Sequence, residues 1–534
     1  LENPPFSSLL EEQTQMHYRK AIIALQLFRR MINRMNNPWV IGGVSAYILM
    51  MLVIGWLSSK NIKDATDYIV AGRRLPLGLA TAALFATWFG GGTSMGAAGE
   101  SYWNGFLGTI ADPFGAGLCL LLAGLFYVRT MRRMKLLTIA DFFAIKYGKT
   151  SELLVALITL PAFIGWVGAE MVALGLIVHS VTGLTPTAGI IISAIVVLIY
   201  TYQGGMWADT LTDFAQMIIL VAGLVIMFPI VINHVGGFSA IKAQIPDEMF
   251  YFFPRNTGFS GWMFYLQAWI IVGLGSIPGQ DVMQRALSSK DENTAQWASY
   301  LSGLGYMLLG IIPVTLGIVG RLVFPELANS ELVLVELAMK FLPNFVVALF
   351  VGALLSAIMS STDSAILAPA SIVTRNILPH IKKMDGKGEL KVARIATVVI
   401  TALALATALW FQNVYDLMVS AWGFLLVGCF VPLTFGIWSK KSNTPAAVTS
   451  SIIGFVSWII LGIVSPNTPN DLIGVVISLV VFVVVMLATY KKVAPKPLVD
   501  IYGEPIDLRF RGPFHPKKFE PSLEPVDKDA VLEK

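Results

Sequence analysis

Histidine and cysteine are nearly missing from this chain, and charge is thin. The five histidines, His17, His179, His234, His380 and His515, are scattered without ligand spacing, which excludes a His- or Cys-rich metal centre. Cys119 and Cys429 both fall inside apolar stretches and read as small core residues, not as a disulfide. Only 13% of the 534 residues are charged while 55% are apolar, and the mean hydropathy is +0.70. That balance excludes a soluble enzyme and implies a polytopic membrane protein. The net charge of +5 is no nucleic-acid footprint, because the basic residues sit in short loops beside apolar spans. Nucleotide loops are missing too: the glycine runs at 90–92 and 273–279 lie inside apolar stretches and are not followed by Lys-Ser/Thr. No nucleophile motif stands in a soluble context, so nothing here reads as an enzyme.

What the chain has in abundance is long apolar runs. Stretches of roughly 20 residues, enough to cross a bilayer, recur about thirteen times, near 39–58, 76–99, 105–128, 151–182, 187–202, 212–234, 260–284, 295–322, 343–376, 392–411, 415–438, 444–464 and 471–490. Arg129, Arg132, Arg133 and Lys135 follow the third; Lys382, Lys383, Lys387 and Lys391 follow the ninth; Lys440, Lys441, Lys491 and Lys492 follow the eleventh and thirteenth. Positive loops stay in the cytoplasm, so the N-terminus is expected outside and the C-terminus inside the cell membrane. Residues 1–38 carry basic residues on the other side, and 21–35 are amphipathic, as for a segment lying along the interface. Residues 39–490 form the transmembrane domain. The tail, 491–534, reads as a poorly ordered cytoplasmic extension.

Two of the spans are interrupted by glycine at mid-depth: Ala86-Thr87-Trp88-Phe89-Gly90-Gly91-Gly92 and Gly273-Leu274-Gly275-Ser276-Ile277-Pro278-Gly279. Hydrocarbon gives an uncoiled backbone no partner, so such breaks survive only where protein, water or an ion satisfies them. Each opens a block of five spans, about 76–234 and 260–438. Paired broken helices at corresponding places point to the substrate and ion site of an inverted-repeat transporter.

The ninth span supplies oxygens. In Ser356-Ala357-Ile358-Met359-Ser360-Ser361-Thr362-Asp363-Ser364, helical spacing gathers the Ala357 carbonyl and the Ser360 and Ser361 hydroxyls on one patch. A hard cation wants such oxygens, and an uncoiled Ala86 and Phe89 would add carbonyls. The plainer account has the hydroxyls bonding the carbonyl a turn back or a neighbouring helix. Asp363, a carboxylate within a span, marks an ion path or a buried partner. Asp213 is open between ligand and N-terminal helix cap.

Taken in order, Tyr68-Ile69-Val70-Ala71-Gly72-Arg73, the Gly90–Gly92 break, Gly204-Gly205, Thr212-Asp213-x-x-Gln216 and Ser360-Ser361-x-Asp363-Ser364 resemble the sodium:solute symporter family. The resemblance implies an all-α fold of thirteen spans with a LeuT-type five-plus-five inverted repeat, importing a small solute with Na+ as coupling ion. It maps one sodium site to the carbonyls of Ala86, Phe89 and Ala357 with the hydroxyls of Ser360 and Ser361. A second site, present in some members, maps to Asp213, Ser360, Asp363 and Ser364, giving one or two ions per cycle.

Within the family, Ala86-Thr87-Trp88-x-Gly90-Gly91-Gly92 and Ile277-Pro278-x-Gln280 with Gln284-Arg285 look most like the high-affinity choline transporters. That branch binds its cation in an aromatic cage, since ring faces attract cations. Trp88 and Trp166 fall at cage positions, while Gly279 replaces a cage tryptophan. Glu170, one turn after Trp166, and Asp112 add acids. The expected pocket therefore holds a positive or zwitterionic amine among Trp88, Trp166, Glu170, Gly275, Gly279 and Gln280; the alternative makes both tryptophans core packing and Glu170 a structural partner. A membrane sensor on a transporter fold, a passive channel, and a proton-coupled symporter using Glu170 or Asp112 are the other readings.

Overall fold

The computed structural model describes residues 70–255, 257–381, 386–506 and 508, with isolated positions ahead of them. The segment 1–38, the expected span 39–58 apart from those positions, Tyr68 and Ile69, and the end of the tail lie outside. Among the described residues the backbone is helical, with two isolated bridges and no longer strand. A helix satisfies every amide within its own segment, which an apolar solvent demands.

The first broken span comprises α1 (Leu77–Trp88) and α2 (Gly92–Gly108). Then come α3 (Ile110–Phe126), α4 (Ile139–Tyr147), α5 (Lys149–Thr182) and α6 (Pro186–His234). The second broken span comprises α7 (Gly258–Gly273) and α8 (Gln280–Ser288), and α9 (Glu292–Val323) and α10 (Asn344–His380) follow. Last are α11 (Gly386–Trp410), α12 (Val414–Trp438), α13 (Thr444–Val464) and α14 (Asn470–Thr489). Among the described residues eight helices are long and apolar enough to cross a membrane, or nine with α2 and α3, bent by 80°, as one span.

Both expected breaks are present. Phe89 (φ −78°, ψ 50°) leaves helical geometry and ends α1; α2 restarts through a wide π-helical turn at Gly92. The second break runs through 274–279, where Pro278 offers no amide and disfavours a helical Ile277. Near the end of α2, Gly105 takes φ +62°, and a Cβ there would sit 2.6 Å from Met249 Cα. Only glycine meets both demands.

The sequence separates 187–202 from 212–234, while residues Pro186–His234 form one long stretch of helical character. A straight helix of 49 residues would extend about 73 Å, over twice the hydrocarbon thickness. Contacts show that the chain reverses instead. Asp213 meets Ser360, Gly223 faces Phe350 and the His234 ring lies 4.8 Å from Phe341, so this leg is antiparallel to α10. Gly189 packs on Gly175 of α5. Only residues 183–185 join α5 to α6, so the first leg runs back along α5. Asn376 bonds Glu152 while Gly90 touches both Ser361 and Glu170, so α5 is itself antiparallel to α10. The two legs of α6 therefore point in opposite directions, and the turn falls between them.

The same bookkeeping of contacts orients the breaks. Leu75 pairs with Ser289, so α1 leaves the end at which α8 arrives. Arg129 meets Glu292 there at 3.0 Å, joining the exit of α3 to the start of α9. The two broken spans thus run in opposite directions, as do α3 and α9, and α5 and α10.

At the opposite end the Glu331 carboxylate accepts from the amides of Val414 (2.8 Å) and Tyr415 (3.3 Å), closing the start of α12. Burial lifts its carboxyl to about 7 although those amides pull the other way. At the basic end Thr138 and Asp141 cap α4 reciprocally, and Asn376 of α10 bonds both Asp141 and Glu152. The tail corrects one expectation. Its first part is held, because Leu498, Ile501 and Ile506 pack against the core. Lys146 Nζ donates to the Lys496 carbonyl at 2.7 Å and Lys135 pairs with Asp500 at 3.1 Å.

Candidate functional site

Helix α10 passes directly across the first break. Ser361 Oγ lies 3.1 Å from the Ala86 carbonyl of α1 and 3.1 Å from the Ala357 carbonyl one turn back. The hydroxyl thus does what both sequence accounts asked, bonding its own helix and meeting the uncoiled segment. Ser360, one residue earlier, turns to α6 and donates to Asp213 Oδ1. Asp213 therefore acts across helices and not as a local cap. Ser360, Ser361, Asp213, Asp363 and Ser364 are all buried inside protein. Phe89 sits at the break itself, its ring stacked on Phe85 at 5.0 Å. Two main-chain carbonyls and hydroxyl oxygens without a competing nitrogen or sulfur suit a hard monovalent cation. Among the described residues no cluster of His, Cys, Asp and Glu suits a transition metal.

Ser364 accepts from Arg285 Nη2 of α8. A guanidinium from the second break thus reaches the oxygens mapped to the second sodium site.

Glu170 closes the first break from the other side. Its Oε2 accepts from the Gly91 amide at 2.9 Å, and its Oε1 accepts from Trp166 Nε1 at 3.1 Å. A carboxylate at the start of α2 satisfies an amide that the broken ladder leaves open and meets the positive helix end. Glu170 accordingly joins the first break to the aromatic cluster.

Four rings of that cluster face one small cavity. Trp88 lies 6.1 Å from Trp422, Trp166 lies 5.2 Å from Trp422, and Tyr306 stands edge-on to Trp88 at 6.4 Å. Tyr306 Oη donates to the Trp88 carbonyl at 2.8 Å, pinning the end of α1. Trp88, Trp166, Trp422, Tyr306 and Asp112 line one cavity of about 20 Å³, room for a single water. The rings are closed on one another, and an organic solute requires them to part. Asp112 accepts from Thr93 at 2.9 Å.

The sequence-predicted Trp88, Trp166 and Glu170 come together here. Gly275 packs against the Trp422 carbonyl, and a Cβ on Gly279 would lie 3.6 Å from the Trp422 ring. Gln280 is placed elsewhere: its Oε1 accepts from the Ile139 amide at 2.7 Å and its amide nitrogen reaches Leu137 and Ser371, tying the basic end together. Trp422, Tyr306 and Asp281 escaped the sequence reading. Asp281 Oδ2 accepts from Trp88 Nε1, and an acid two residues past the second break was the available signal.

Comparison with known proteins places this arrangement. The sodium:solute symporter family pattern matches residues 68–454. The chain belongs to the sodium:solute symporter family. It is a multi-pass membrane transporter with a small-molecule solute and sodium as partners, and not an enzyme. The human high affinity choline transporter 1 is 30% identical over 76% of this chain and 74% of its own. The osmoregulated proline transporter OpuE of Bacillus subtilis (strain 168) is 26% identical over 84% of this chain and 95% of its own. A Na+-coupled sialic acid symporter solved in a substrate-bound outward-open state superposes with a TM-score of 0.74 at 21% identity, over 88% of this chain and 99% of that one.

Proposed function

We propose that this family member is a secondary active symporter that imports a small organic solute carrying a positive or zwitterionic amine, driven by sodium and working by alternating access. The observation that carries the reading is the meeting of the α1 break with Ser361, one residue from Trp88 and the ring cluster. A cation drawing in the Ala86, Phe89 and Ala357 carbonyls with the Ser360 and Ser361 hydroxyls would order the break. Glu170 and Trp88 would pass that order to the solute pocket of Trp88, Trp166, Glu170, Gly275 and Gly279. One charge moving through about 100 mV supplies roughly 2.3 kcal/mol.

The antiparallel pairs support a LeuT-type inverted repeat of about 76–234 and 260–438 within a domain of about thirteen spans at 39–490. In that arrangement the N-terminal segment 1–38 lies outside the cell membrane and the tail 491–534 is cytoplasmic. A second ion at Asp213, Ser360, Asp363 and Ser364 is part of the proposal. Asp363→Ala is expected to turn a sigmoidal sodium dependence of uptake hyperbolic; an unchanged Hill slope removes the second site.

Proton coupling is the second reading, favoured by the two buried acids beside the cage, Asp112 and Glu170. Uptake of radiolabelled amines into proteoliposomes, driven by a sodium gradient or a pH gradient alone, separates the two. Accumulation with sodium alone is expected. Accumulation with the proton gradient alone defeats the sodium reading, and a growth response to a solute without its uptake favours a sensor.

A further inference from the structure

Asp281 is the second residue of α8 and wholly buried. Its Oδ2 takes the indole N–H of Trp88, while Oδ1 is buried without a hydrogen-bond partner. That free oxygen occupies the space a side chain at residue 279 would fill, 2.6 Å from an ideal Cβ on Gly279, and the same Cβ would stand 3.6 Å from the Trp422 ring. The absence of that side chain therefore lets the carboxylate oxygen lie beside the Trp422 indole and the Ser276 carbonyl, at the edge of the ring cluster. Arg285, one turn along α8, attracts the carboxylate through its charge and directs Nη2 to Ser364, so it gives Oδ1 no hydrogen bond.

A buried carboxylate oxygen without a donor is costly, and an ammonium N–H is the strongest donor a solute can bring. A quaternary ammonium satisfies ring faces alone and has no hydrogen to give Oδ1. We propose that Asp281 is the solute's ammonium-binding carboxylate, so that this transporter selects a primary or secondary ammonium over its fully N-methylated counterpart. The solute's N–H donates to Oδ1 while Trp88 and Trp422 cover its carbon skeleton. This inference rests on the proposed cationic or zwitterionic solute and narrows it.

Matched probes test it on the full-length protein in nanodiscs, by sodium-dependent tryptophan quenching: ethanolamine against choline, and glycine against its trimethylated betaine. In each pair that binds, the N–H-bearing member is expected to bind at least about tenfold more tightly, since a site built around a hydrogen bond rejects the analogue lacking the donor. Asp281→Asn, nearly isosteric, is expected to erase that preference while the thermal shift produced by sodium alone persists, which checks the fold. Tighter binding of the methylated members, or an unchanged preference in Asp281→Asn, overturns the assignment of Asp281 and leaves the cationic pocket standing. Binding of anions or sugars with no response to any amine overturns both.

Discussion

Gly90→Ala is expected to weaken sodium activation of uptake by about 10- to 100-fold. A Cβ on residue 90 would lie 2.8 Å from Ser361 Cβ, 3.0 Å from Glu170 Oε1 and closer still to Ser361 Oγ. Real Cβ atoms do not approach so near, and both neighbours are buried in packed helices. Overpacking of this kind costs about 1–3 kcal/mol, and each 1.4 kcal/mol is about tenfold in affinity. Ser361 could escape only by swinging Oγ away from the Ala86 and Ala357 carbonyls, which dismantles the same cage. Gly78→Ala, on the exposed start of α1 with nothing within 4 Å of the added Cβ, is the control and is expected to change nothing. Sodium titration of uptake in proteoliposomes reads both. Normal activation in Gly90→Ala would mean that no cation binds at the break.

The second large effect is expected at Trp88. Trp88→Ala removes the ring facing Trp422 and Tyr306 and the N–H that satisfies Asp281. Truncating a packed aromatic costs about 3–5 kcal/mol, and here the loss falls on the solute pocket. Solute-induced fluorescence change should vanish while stabilisation by sodium remains, because the carbonyls of α1 are main-chain groups. Trp88→Phe keeps a ring face but not the donor, and should recover part of the binding. Full solute binding by Trp88→Ala, measured by equilibrium dialysis of the labelled solute, would make the ring cluster mere packing.

The two breaks were readable because clustered glycines, joined by Pro278 at the second, weaken the helix where hydrocarbon offers the backbone no other partner. Helical spacing predicts Ser360 and Ser361 on one patch with the Ala357 carbonyl; only Ser361 lies there, and Ser360 turns to α6. Their different partners, Asp213 and the α1 break, depend on which helices flank α10, and that is a matter of tertiary packing. Trp422 and Tyr306 come from α12 and α9, hundreds of residues from Trp88 in sequence, and nothing local distinguishes them from other aromatic residues of a membrane helix. Gln280 looked like a pocket residue because it adjoins Gly279, but a helix starts there and its first turn points Gln280 to the basic end. The reversal within α6 is legible in the sequence as two separate apolar stretches, 187–202 and 212–234. The docked part of the tail was missed because Pro and mixed charge hid the apolar residues Leu498, Ile501, Ile506 and Leu508 that pack against the core.

Hydrogen–deuterium exchange of segments 85–95 and 357–364, with sodium against an equal concentration of potassium, tests the central claim most directly. Amides at the break have few partners of their own, so a cation drawing the Ala86 carbonyl toward Ser361 should slow their exchange. Protection by sodium and not potassium, confined to these two segments and absent from α13, is the expected result. Equal exchange in the two salts would contradict the account.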